Sequence, residues 1–343
     1  MEKMKRLKEI AEEIGVSVAT VSYVYNNKWK EKRIRRELVE KIKKKLEKEN
    51  YKPDYLGLQL KTGKTQTIGI ILGDLTRSFN LSILSGIERV LAKSNYFALV
   101  SSSNFGEKET QYLRAFFERK VEGLILAPQK RENYEEILQE IEKSRIPVVL
   151  VDNYFPKKNI DFVVSDNKFG SFKAVDSLIK NGKRKIAYIG SKEKLTALGN
   201  RFEGYLLALR KNKIKVEENL ICKDIISQSD IYSALEKMFK EEKPDAIFVE
   251  SLLYFKYGFK FCYDNKLEIP DDIVLTGFDP VDLNLSEFSE VHFNSVVKGL
   301  IPFVEQKGEE IGKRAGEIIL EKIEGKNKKV QKIFIKPELK NFK

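Results

Sequence analysis

Small and hydroxyl-bearing side chains crowd one short stretch of this chain, SVATVSYVYN, from Ser17 to Asn26. Hydroxyl groups donate and accept hydrogen bonds, and small apolar side chains allow a helix to approach a polar surface closely. If the stretch is helical, its outward positions are Val18, Ala19, Thr20, Ser22 and Tyr23. A helix with such a face can enter the major groove of DNA.

The residues around this stretch predict two short helices joined by a tight turn. The first helix has an apolar face at helical spacing, formed by Leu7, Ile10, Ala11 and Ile14. Gly15 stands at the turn, and Ser17 is a good N-cap for a second helix over Val18–Tyr25. Val21 and Val24 can pack back on the first helix. The pattern predicts a helix-turn-helix; the alternative is an ordinary helical hairpin at the edge of a domain.

Further helical patterns and an excess of positive charge follow in the same region. A third helix at about residues 34–50 has an apolar stripe of Ile34, Leu38, Ile42 and Leu46. A short helix at about residues 54–60 then leads into a polar linker. The first 64 residues hold 18 Lys and Arg against 10 Asp and Glu, which is +8 of the total net charge of +12. This excess suits contacts with phosphates.

Beyond residue 65, short apolar runs alternate with amphipathic helical stretches. Eight strands are predicted, at residues 67–72, 97–101, 123–127, 147–151, 162–165, 186–189, 246–249 and 273–277. Near-continuous apolar strands separated by helices indicate parallel sheets covered on both faces. Because roughly 270 residues exceed one comfortable core, two α/β lobes are expected.

Polar and aromatic side chains follow several of these strands. They include Asp74, Arg77, Phe79, Asp152, Asn153, Asp166, Asn167 and Asp279. Ligands of open parallel sheets bind beyond the carboxyl ends of the strands. The sequence therefore predicts a small-molecule site there, with apolar walls and a few converging polar groups.

Three segments resemble the lactose-repressor (LacI/GalR) family of bacterial transcription regulators: EIAEEIGVSVATVS, NYKPDYLGLQLKTGKT and TIGIILGD. The resemblance continues along nearly the whole chain, including an RxxGY pattern that begins at Arg201. It implies an N-terminal all-α helix-turn-helix DNA-binding domain with a hinge helix, followed by an α/β two-lobed periplasmic-binding-protein-like domain. The chain is expected to cross between the lobes about three times. The expected boundaries are residues 1–52 for DNA binding, 53–65 for the hinge helix and linker, and 66–343 for effector binding and dimerisation.

The resemblance also implies roles on DNA for individual residues. Val18, Ala19 and Tyr23 match base-contacting positions, where small apolar groups can touch thymine methyls. Tyr23 departs from the arginine or histidine common there, and its hydroxyl cannot make a bidentate contact to guanine. The residues better placed for phosphates are Ser17, Thr20, Ser22 and Asn26. Leu60 matches a hinge-helix leucine that wedges into the minor groove; the alternative is a buried linker residue.

In the body of the chain, Arg201 and Asp279 match an arginine and an aspartate that hold ligand hydroxyl or carbonyl groups in the family. The alternative for both is an interlobe salt bridge. Phe79 matches an aromatic residue that lines the pocket, and Asp152 ends a strand; either could instead be structural.

Three departures from the family bear on the effector. Ser251 and the leucine after it stand where the family commonly has Asn-Asp, so one pair of polar contacts is weakened. Arg77 and Ser78 replace the usual Asn-Pro, and the stretch before Pro302 is several residues longer. An additional arginine favours an anionic effector such as a sugar acid or a sugar phosphate, because guanidinium pairs bidentately with carboxylate or phosphate.

The expected function is a dimeric repressor of carbohydrate-metabolism genes. Its partners are double-stranded DNA with a palindromic operator, a sugar, sugar acid or sugar phosphate as effector, and a second copy of the chain. Leu81, Leu84 and Val90 are candidate interface residues, or ordinary helix core. The C-terminal KPELKNF has no leucine heptad, which favours a dimer over a tetramer.

Two rival classes are a carbohydrate-binding protein without operator function and a sugar-metabolising enzyme. His292 is the only histidine, Cys222 and Cys262 form no CxxC motif, and there is no P-loop. No cofactor or metal is therefore expected. The charged N-terminus has no signal-peptide apolar region, and no apolar run is long enough to span a membrane, so a cytoplasmic protein without a membrane partner is expected.

Overall fold

The computed structural model describes residues 7–51, 63–103, 106–192, 195–225, 227–279 and 301–342. Two compact units make up the chain, Met1–Thr65 and Gln66–Lys343. Leu60, His292 and the stretch 280–300 lie outside the described residues.

Three helices pack around a small apolar core in the described part of the first unit. They are α1 (Leu7–Ile14), α2 (Val18–Tyr25) and α3 (Arg36–Lys48). Gly15 adopts a φ of 80° between the first two helices, which would strain any residue with a side chain. Ser17 caps α2, since its hydroxyl accepts a hydrogen bond from the backbone N–H of Thr20 at 3.1 Å. The core consists of Ile10, Ala11, Val21, Val24, Val39, Ile42 and Leu46.

The third helix is shorter than the apolar pattern predicts, and its buried stripe is shifted. It begins at Arg36, and Val39 is buried where the pattern predicts Leu38, which is only half-buried. The chain is still turning before this point, because Arg33 has a φ of 52° and the N–H of Ile34 donates to the carbonyl of Trp29 at 3.0 Å.

The second unit contains twelve strands within the described residues. They are β1 (Thr67–Leu72), β2 (Phe97–Ser102), β3 (Gly123–Leu126), β4 (Val148–Val151), β5 (Asp161–Ser165), β6 (Ile186–Ser191), β7 (Ile221–Ile225), β8 (Ala246–Val249), β9 (Val274–Gly277), β10 (Ile301–Glu305), β11 (Lys332–Ile335) and β12 (Glu338–Phe342). All eight predicted strands occur, with ends that shift by at most two residues. The sequence pattern missed β7, β10, β11 and β12. β11 is half exposed at a sheet edge, so it lacks the continuous apolar run of a central strand.

Eight α-helices accompany these strands in the same described stretches. They are α4 (Ser78–Leu91), α5 (Glu109–Glu118), α6 (Tyr134–Ser144), α7 (Asn167–Lys180), α8 (Thr196–Lys211), α9 (Gln228–Glu241), α10 (Leu252–Asp264) and α11 (Gly308–Ile323). Short 3-10 turns at Arg131–Asn133 and Glu218–Leu220 precede α6 and β7.

The strands form one parallel sheet in each of two lobes. The first lobe has the order β11-β5-β4-β3-β1-β2, with α4 and α11 on one face and α5 and α6 on the other. The second lobe has the order β7-β6-β8-β9, with α9 and α10 on one face and α7 and α8 on the other. A small antiparallel pair, β10 and β12, joins the second lobe beside β9 through a bridge between Phe278 and Val304. Helices on both faces explain why the strands are apolar along their whole length.

Along the described residues, the chain passes between the lobes three times. It leaves the first lobe after β5, returns between β10 and α11, and leaves again between β11 and β12. The carboxyl ends of β1 and β4 therefore face those of β6, β8 and β9 across a cleft.

Candidate functional site

The first candidate site is the outward face of α2. Val21 and Val24 are buried in the core of the first unit, whereas Val18 keeps 43% of its surface exposed. Ala19 is also exposed, and Thr20, Ser22 and Tyr23 are half-buried on the same helix. The face is therefore small, hydroxyl-bearing and accessible, as a helix in the major groove must be.

Hydrogen bonds within this face already engage some of its polar groups. The hydroxyls of Ser17 and Thr20 bond to each other at 2.8 Å. The amide nitrogen of Asn26 donates to the carbonyl of Ser22 at 2.9 Å and to its hydroxyl at 3.3 Å. A hydroxyl can both donate and accept, so these bonds orient the groups without exhausting them. Phosphate contacts at these residues stay a prediction.

The second candidate site is the cleft between the two lobes, with a volume of about 720 Å³. Every predicted effector residue lines it: Arg77, Phe79, Asp152, Arg201, Ser251 and Asp279. Asn153, another of the predicted strand-end residues, also lines it, as do polar residues that the sequence analysis did not single out, namely Asn80, Gln129, Lys192, Glu250 and Gln306. The size and the mixture of apolar walls with convergent polar groups suit a small polar ligand.

Arg201 lies at the centre of the polar groups and is only 4% exposed. Its Nε donates to Oδ1 of Asn167 at 2.7 Å, and one terminal nitrogen donates to the carbonyl of Glu250 at 2.5 Å. The guanidinium carbon is 3.8 Å from the centre of the Phe278 ring. A guanidinium held by two hydrogen bonds and a ring face keeps its remaining donors in one direction.

Asp152 and Asp279 lie just beyond strands on opposite lobes, and both have left-handed backbones. Their φ angles are 63° and 71°, which residues with a side chain rarely adopt. Such strain persists at ligand sites where the surroundings hold the residue in place. Oδ2 of Asp152 accepts from Gln129 at 3.2 Å, and both oxygens of Asp279 accept from Gln306, at 2.9 and 3.1 Å.

These carboxylates are electrostatically linked to Arg201. Desolvation raises the pKa of Asp152 and Asp279, and the charge of Arg201 opposes this rise in both. Burial lowers the pKa of Arg201 itself, and the carboxylates of Asp279, Asp152 and Glu250 act against that. The cleft thus contains one cation that is shared by carboxylates from both lobes.

Glu250 was missed by the sequence analysis, although it directly follows the apolar strand β8. Its side chain is buried and accepts hydrogen bonds from the Tyr188 hydroxyl at 2.8 Å and from the backbone N–H of Ser191. Burial raises the pKa of Glu250 to about 7. The position after a strand was the available signal. Gln306 had none, because it follows a strand, β10, that the pattern did not predict.

A second buried carboxylate supports the wall of the cleft in the first lobe. Glu109 accepts from the backbone N–H of Gln129 at 2.5 Å and from the Asn133 side chain at 3.4 Å. Gln129 in turn donates to Asp152. Burial raises the pKa of Glu109 to about 7. Glu109 therefore positions the loop that holds the strained aspartate.

The stability of the second unit is expected to fall as the pH rises from about 4.5 to above 7. Both glutamates have a folded-state pKa raised from 4.5 to about 7. The stability that these two glutamates contribute is fully present below their pKa in the unfolded chain. It is lost as the pH rises through their pKa in the folded chain. The Glu250→Gln variant should reduce this loss by up to about 3 kcal/mol, since one pKa unit corresponds to 1.36 kcal/mol.

Urea unfolding at pH 5 and pH 8 measures this effect. The Glu109→Gln variant is the matched control, because it removes an equally shifted glutamate elsewhere in the same unit. Each single variant should flatten the profile in part, and the double variant should flatten it further. A Glu250→Gln profile identical to that of the wild-type chain would contradict the prediction.

The candidate interface residues on α4 differ in their surroundings. Leu81 keeps 48% of its surface exposed, whereas Leu84 packs in part against the core of the first lobe. Val90 faces Gly316 on α11, where an added Cβ would be 3.1 Å from the Cβ of Val90. Of the three residues, Leu81 is the one most available to a partner.

The described part of the chain was compared with the requirements for a membrane-spanning helix and for a metal site. No helix there is long and apolar enough to cross a membrane. Nor do the His, Cys, Asp and Glu residues there form a group of three that could hold a metal ion.

A helix-turn-helix unit followed by a two-lobed α/β unit with a ligand-sized cleft defines a DNA-binding regulator that responds to a small molecule. The chain belongs to the LacI family of bacterial regulatory proteins. Residues 6–54 match the family described as "Bacterial regulatory proteins, lacI family". Residues 65–343 match "Periplasmic binding proteins and sugar binding domain of LacI family".

Individual relatives agree with this assignment. Catabolite control protein A of Priestia megaterium is 31% identical over 296 residues, which are 84% of this chain and 86% of the relative. The transcriptional repressor PurR of Vibrio atlanticus is 27% identical over 98% of this chain and 97% of its own. Among solved structures, the Lac repressor dimer bound to operator and the anti-inducer ONPF has a TM-score of 0.78 at 18% identity, covering 99% of this chain and 98% of its own.

The predicted family, fold class and general function are confirmed. The chain is a DNA-binding transcription regulator and not an enzyme. Proteins of this family bind DNA operators and small-molecule effectors, typically as dimers.

Proposed function

We propose that the chain is a dimeric repressor of carbohydrate-metabolism genes, controlled by a sugar-like effector that binds in the cleft. The repressor acts in the cytoplasm, where the outward face of α2 reads a palindromic operator. Val18, Ala19 and Tyr23 contact bases, and Ser17, Thr20, Ser22 and Asn26 contact phosphates. Leu60, outside the described residues, wedges into the minor groove at the operator centre.

The observation that carries the effector proposal is the sharing of Arg201 between the lobes. Asp152 lies just beyond a strand of the first lobe, and Asp279 and Glu250 lie just beyond strands of the second. A ligand that bonds to both sides has a different affinity for different lobe arrangements, and such a difference is the requirement for a switch. The effector therefore biases the arrangement of the lobes and, through the hinge, the affinity for DNA.

The charges of the cleft favour a particular orientation of the effector. Among the described residues, its interior has one cation, Arg201, against three carboxylates, which suits the hydroxyl donors of a sugar. Its mouth has the half-buried Arg77 together with exposed Arg131 and Lys192. A sugar acid or sugar phosphate fits with its hydroxyls inward and its anionic group towards Arg77.

A thermal-shift screen of the full chain with sugars, sugar acids, sugar phosphates and nucleobases tests the effector proposal. A ligand at 100 times its Kd adds about 2.7 kcal/mol to the stability of the folded state. For a unit of this size the melting temperature rises by roughly 2–4 °C per kcal/mol. Stabilisation by nucleobases alone would overturn the sugar-like effector. Operator binding with and without each hit then gives the sign of the switch.

The Arg77→Ala variant is expected to bind an anionic hit about tenfold more weakly or worse, because a hydrogen bond to a charged group contributes about 1.5–3 kcal/mol. Binding of the neutral parent sugar should change little. Calorimetric titration with both ligands measures the difference. Lys93→Ala, which removes an exposed cation outside the cleft, is the control. Equal affinities of Arg77→Ala and wild type for the anionic ligand would exclude the role of Arg77.

A further inference from the structure

The loop between α2 and α3, residues 26–35, is basic and well anchored. We call it the basic loop; its cations are Lys28, Lys30, Lys32, Arg33 and Arg35. Trp29 packs in part against the core of the first unit. The backbone N–H of Lys28 donates to the carbonyl of Tyr23 at 2.8 Å, and that of Lys32 donates to Lys28 at 3.1 Å. The first bond ties the loop to α2, and the second forms a turn within the loop.

Two lysines of the basic loop lie over aromatic rings. Nζ of Lys32 is 5.2 Å from the centre of the Tyr23 ring, and Nζ of Lys30 is 5.5 Å from that of Trp29. A cation–π contact at an exposed site contributes about 0.5–1 kcal/mol, which is enough to favour one position of a flexible lysine. The two rings differ in location, since Tyr23 belongs to the outward face of α2 and Trp29 does not.

Lys32 therefore places a charged donor beside the helix face that enters the groove. An ammonium has three N–H donors and no acceptor. In the major groove, the acceptors N7 and O6 of guanine are its best partners. The Tyr23 hydroxyl cannot supply a bidentate contact of this kind, but the Tyr23 ring can hold a side chain that donates to guanine.

We propose that Lys32, held over the ring of Tyr23, determines specificity by binding a guanine in each operator half-site. Lys28 and Lys30 contact phosphates instead. This arrangement replaces the direct base contact proposed above for Tyr23: Tyr23 is a positioning residue, and its ring matters more than its hydroxyl. The inference rests on the proposed use of the α2 face on DNA and goes beyond it by assigning one base contact to a residue outside that helix.

Selection of binding sequences from a randomised double-stranded DNA library, with the full chain, tests the inference. The set comprises the wild-type chain and the variants Lys32→Ala, Tyr23→Ala, Tyr23→Phe and Lys30→Ala. The wild-type chain and Tyr23→Phe should prefer guanine at one position of each half-site. Lys32→Ala and Tyr23→Ala should lose that preference, with affinity for the selected site reduced about tenfold to hundredfold. Lys30→Ala should keep the preference and lower the slope of log affinity against log salt by about 1 per contact.

Other outcomes would overturn the inference in distinguishable ways. If Lys32→Ala selects the wild-type sequence and weakens all sites equally, Lys32 contacts a phosphate. If Tyr23→Phe loses the preference, the hydroxyl reads the base. If no sequence is enriched by the wild-type chain, the proposed operator function fails, and this inference with it. Trp29, the only tryptophan, reports by fluorescence whether the first unit of each variant is folded. If Tyr23→Ala is unfolded, the results for Lys32→Ala and Tyr23→Phe still test the inference.

Discussion

The Arg201→Met variant is expected to be less stable than the wild-type chain by about 3 kcal/mol at pH 8 and to lose effector binding. Arg201 is 4% exposed and is the cation that the desolvated carboxylates of the cleft share. Methionine fills a similar length but removes the guanidinium from among those carboxylates, and Asp152 and Asp279 keep only the weaker influence of the Arg77 charge. Removing one partner of a buried ion pair is costly because it leaves an uncompensated charge.

The deficit of Arg201→Met should be smaller at pH 5 than at pH 8. Desolvation already raises the pKa of Asp152 and Asp279, and loss of the guanidinium raises both further. A carboxyl whose pKa is raised in the folded chain stabilises the fold at low pH. This stabilisation is lost as the pH rises through that pKa. Urea unfolding at the two pH values, with the melting shift for a ligand found in the screen, measures both effects.

Arg201→Lys is the matched variant for this prediction. Lysine keeps the charge but cannot reproduce the fork that bonds to Asn167 and to the Glu250 carbonyl. It should retain most of the stability at pH 8 and still bind the effector poorly. An Arg201→Met chain as stable as the wild type at pH 8 would show that the carboxylates do not depend on Arg201.

The Gly312→Ala variant is expected to destabilise the second unit by about 3 kcal/mol. Gly312 lies on α11 where this helix packs against α4, and an added Cβ would overlap the backbone oxygen of Ile83. Gly86 makes the same close approach from α4, since a Cβ added at Gly86 would overlap the backbone of Glu309. Backbone atoms cannot rotate away as a side-chain end can, so the helices must separate and expose part of the core of the first lobe.

Gly312→Ala should also weaken effector binding. α4 begins at Ser78, directly after Arg77, and Phe79 lies in its first turn, so a shift of α4 moves the first-lobe wall of the cleft. Gly199→Ala is the control, because Gly199 is also helical but an added Cβ would meet nothing within 4 Å. It should gain up to about 1 kcal/mol from improved helix propensity. Equal stability of Gly312→Ala and wild type in urea would contradict the proposed close packing.

Some of the residues that form the cleft can be predicted from the ends of strands, and others cannot. The rule that parallel sheets bind ligands at their carboxyl ends predicted Arg77, Phe79, Asp152 and Asp279, and the family resemblance added Arg201 and Ser251. All six line the cleft. The same rule applied to β8 would have found Glu250, since it directly follows that strand. The rule does not predict Gln306 or Glu109. Gln306 follows a strand that pairs at the edge of the second lobe, and Glu109 starts a helix.

In the DNA-binding unit, apolar periodicity predicts the helices but does not determine every buried side chain. The apolar spacing predicts a helix with the face that α1 shows, and the Ser17 cap predicts α2 at its observed bounds. For α3, both Leu38 and Val39 are apolar, and the spacing alone does not determine which of them faces the core. Packing against α1 and α2 selects Val39. The contact between Lys32 and Tyr23 likewise depends on the path of the basic loop, which no local pattern specifies.

The sequence by itself determined the helix-turn-helix, the order of eight of the twelve described strands and several of the strand ends that line the cleft. These depend on caps, turns and apolar spacing, which act between residues a few positions apart. Only the tertiary structure decided which carboxylates share Arg201 and how far their pKa values rise. Arg201 bonds to residues 34 and 49 positions away in the chain. Desolvation and charge pairing depend on distance in space, which the fold sets by bringing such separated residues together.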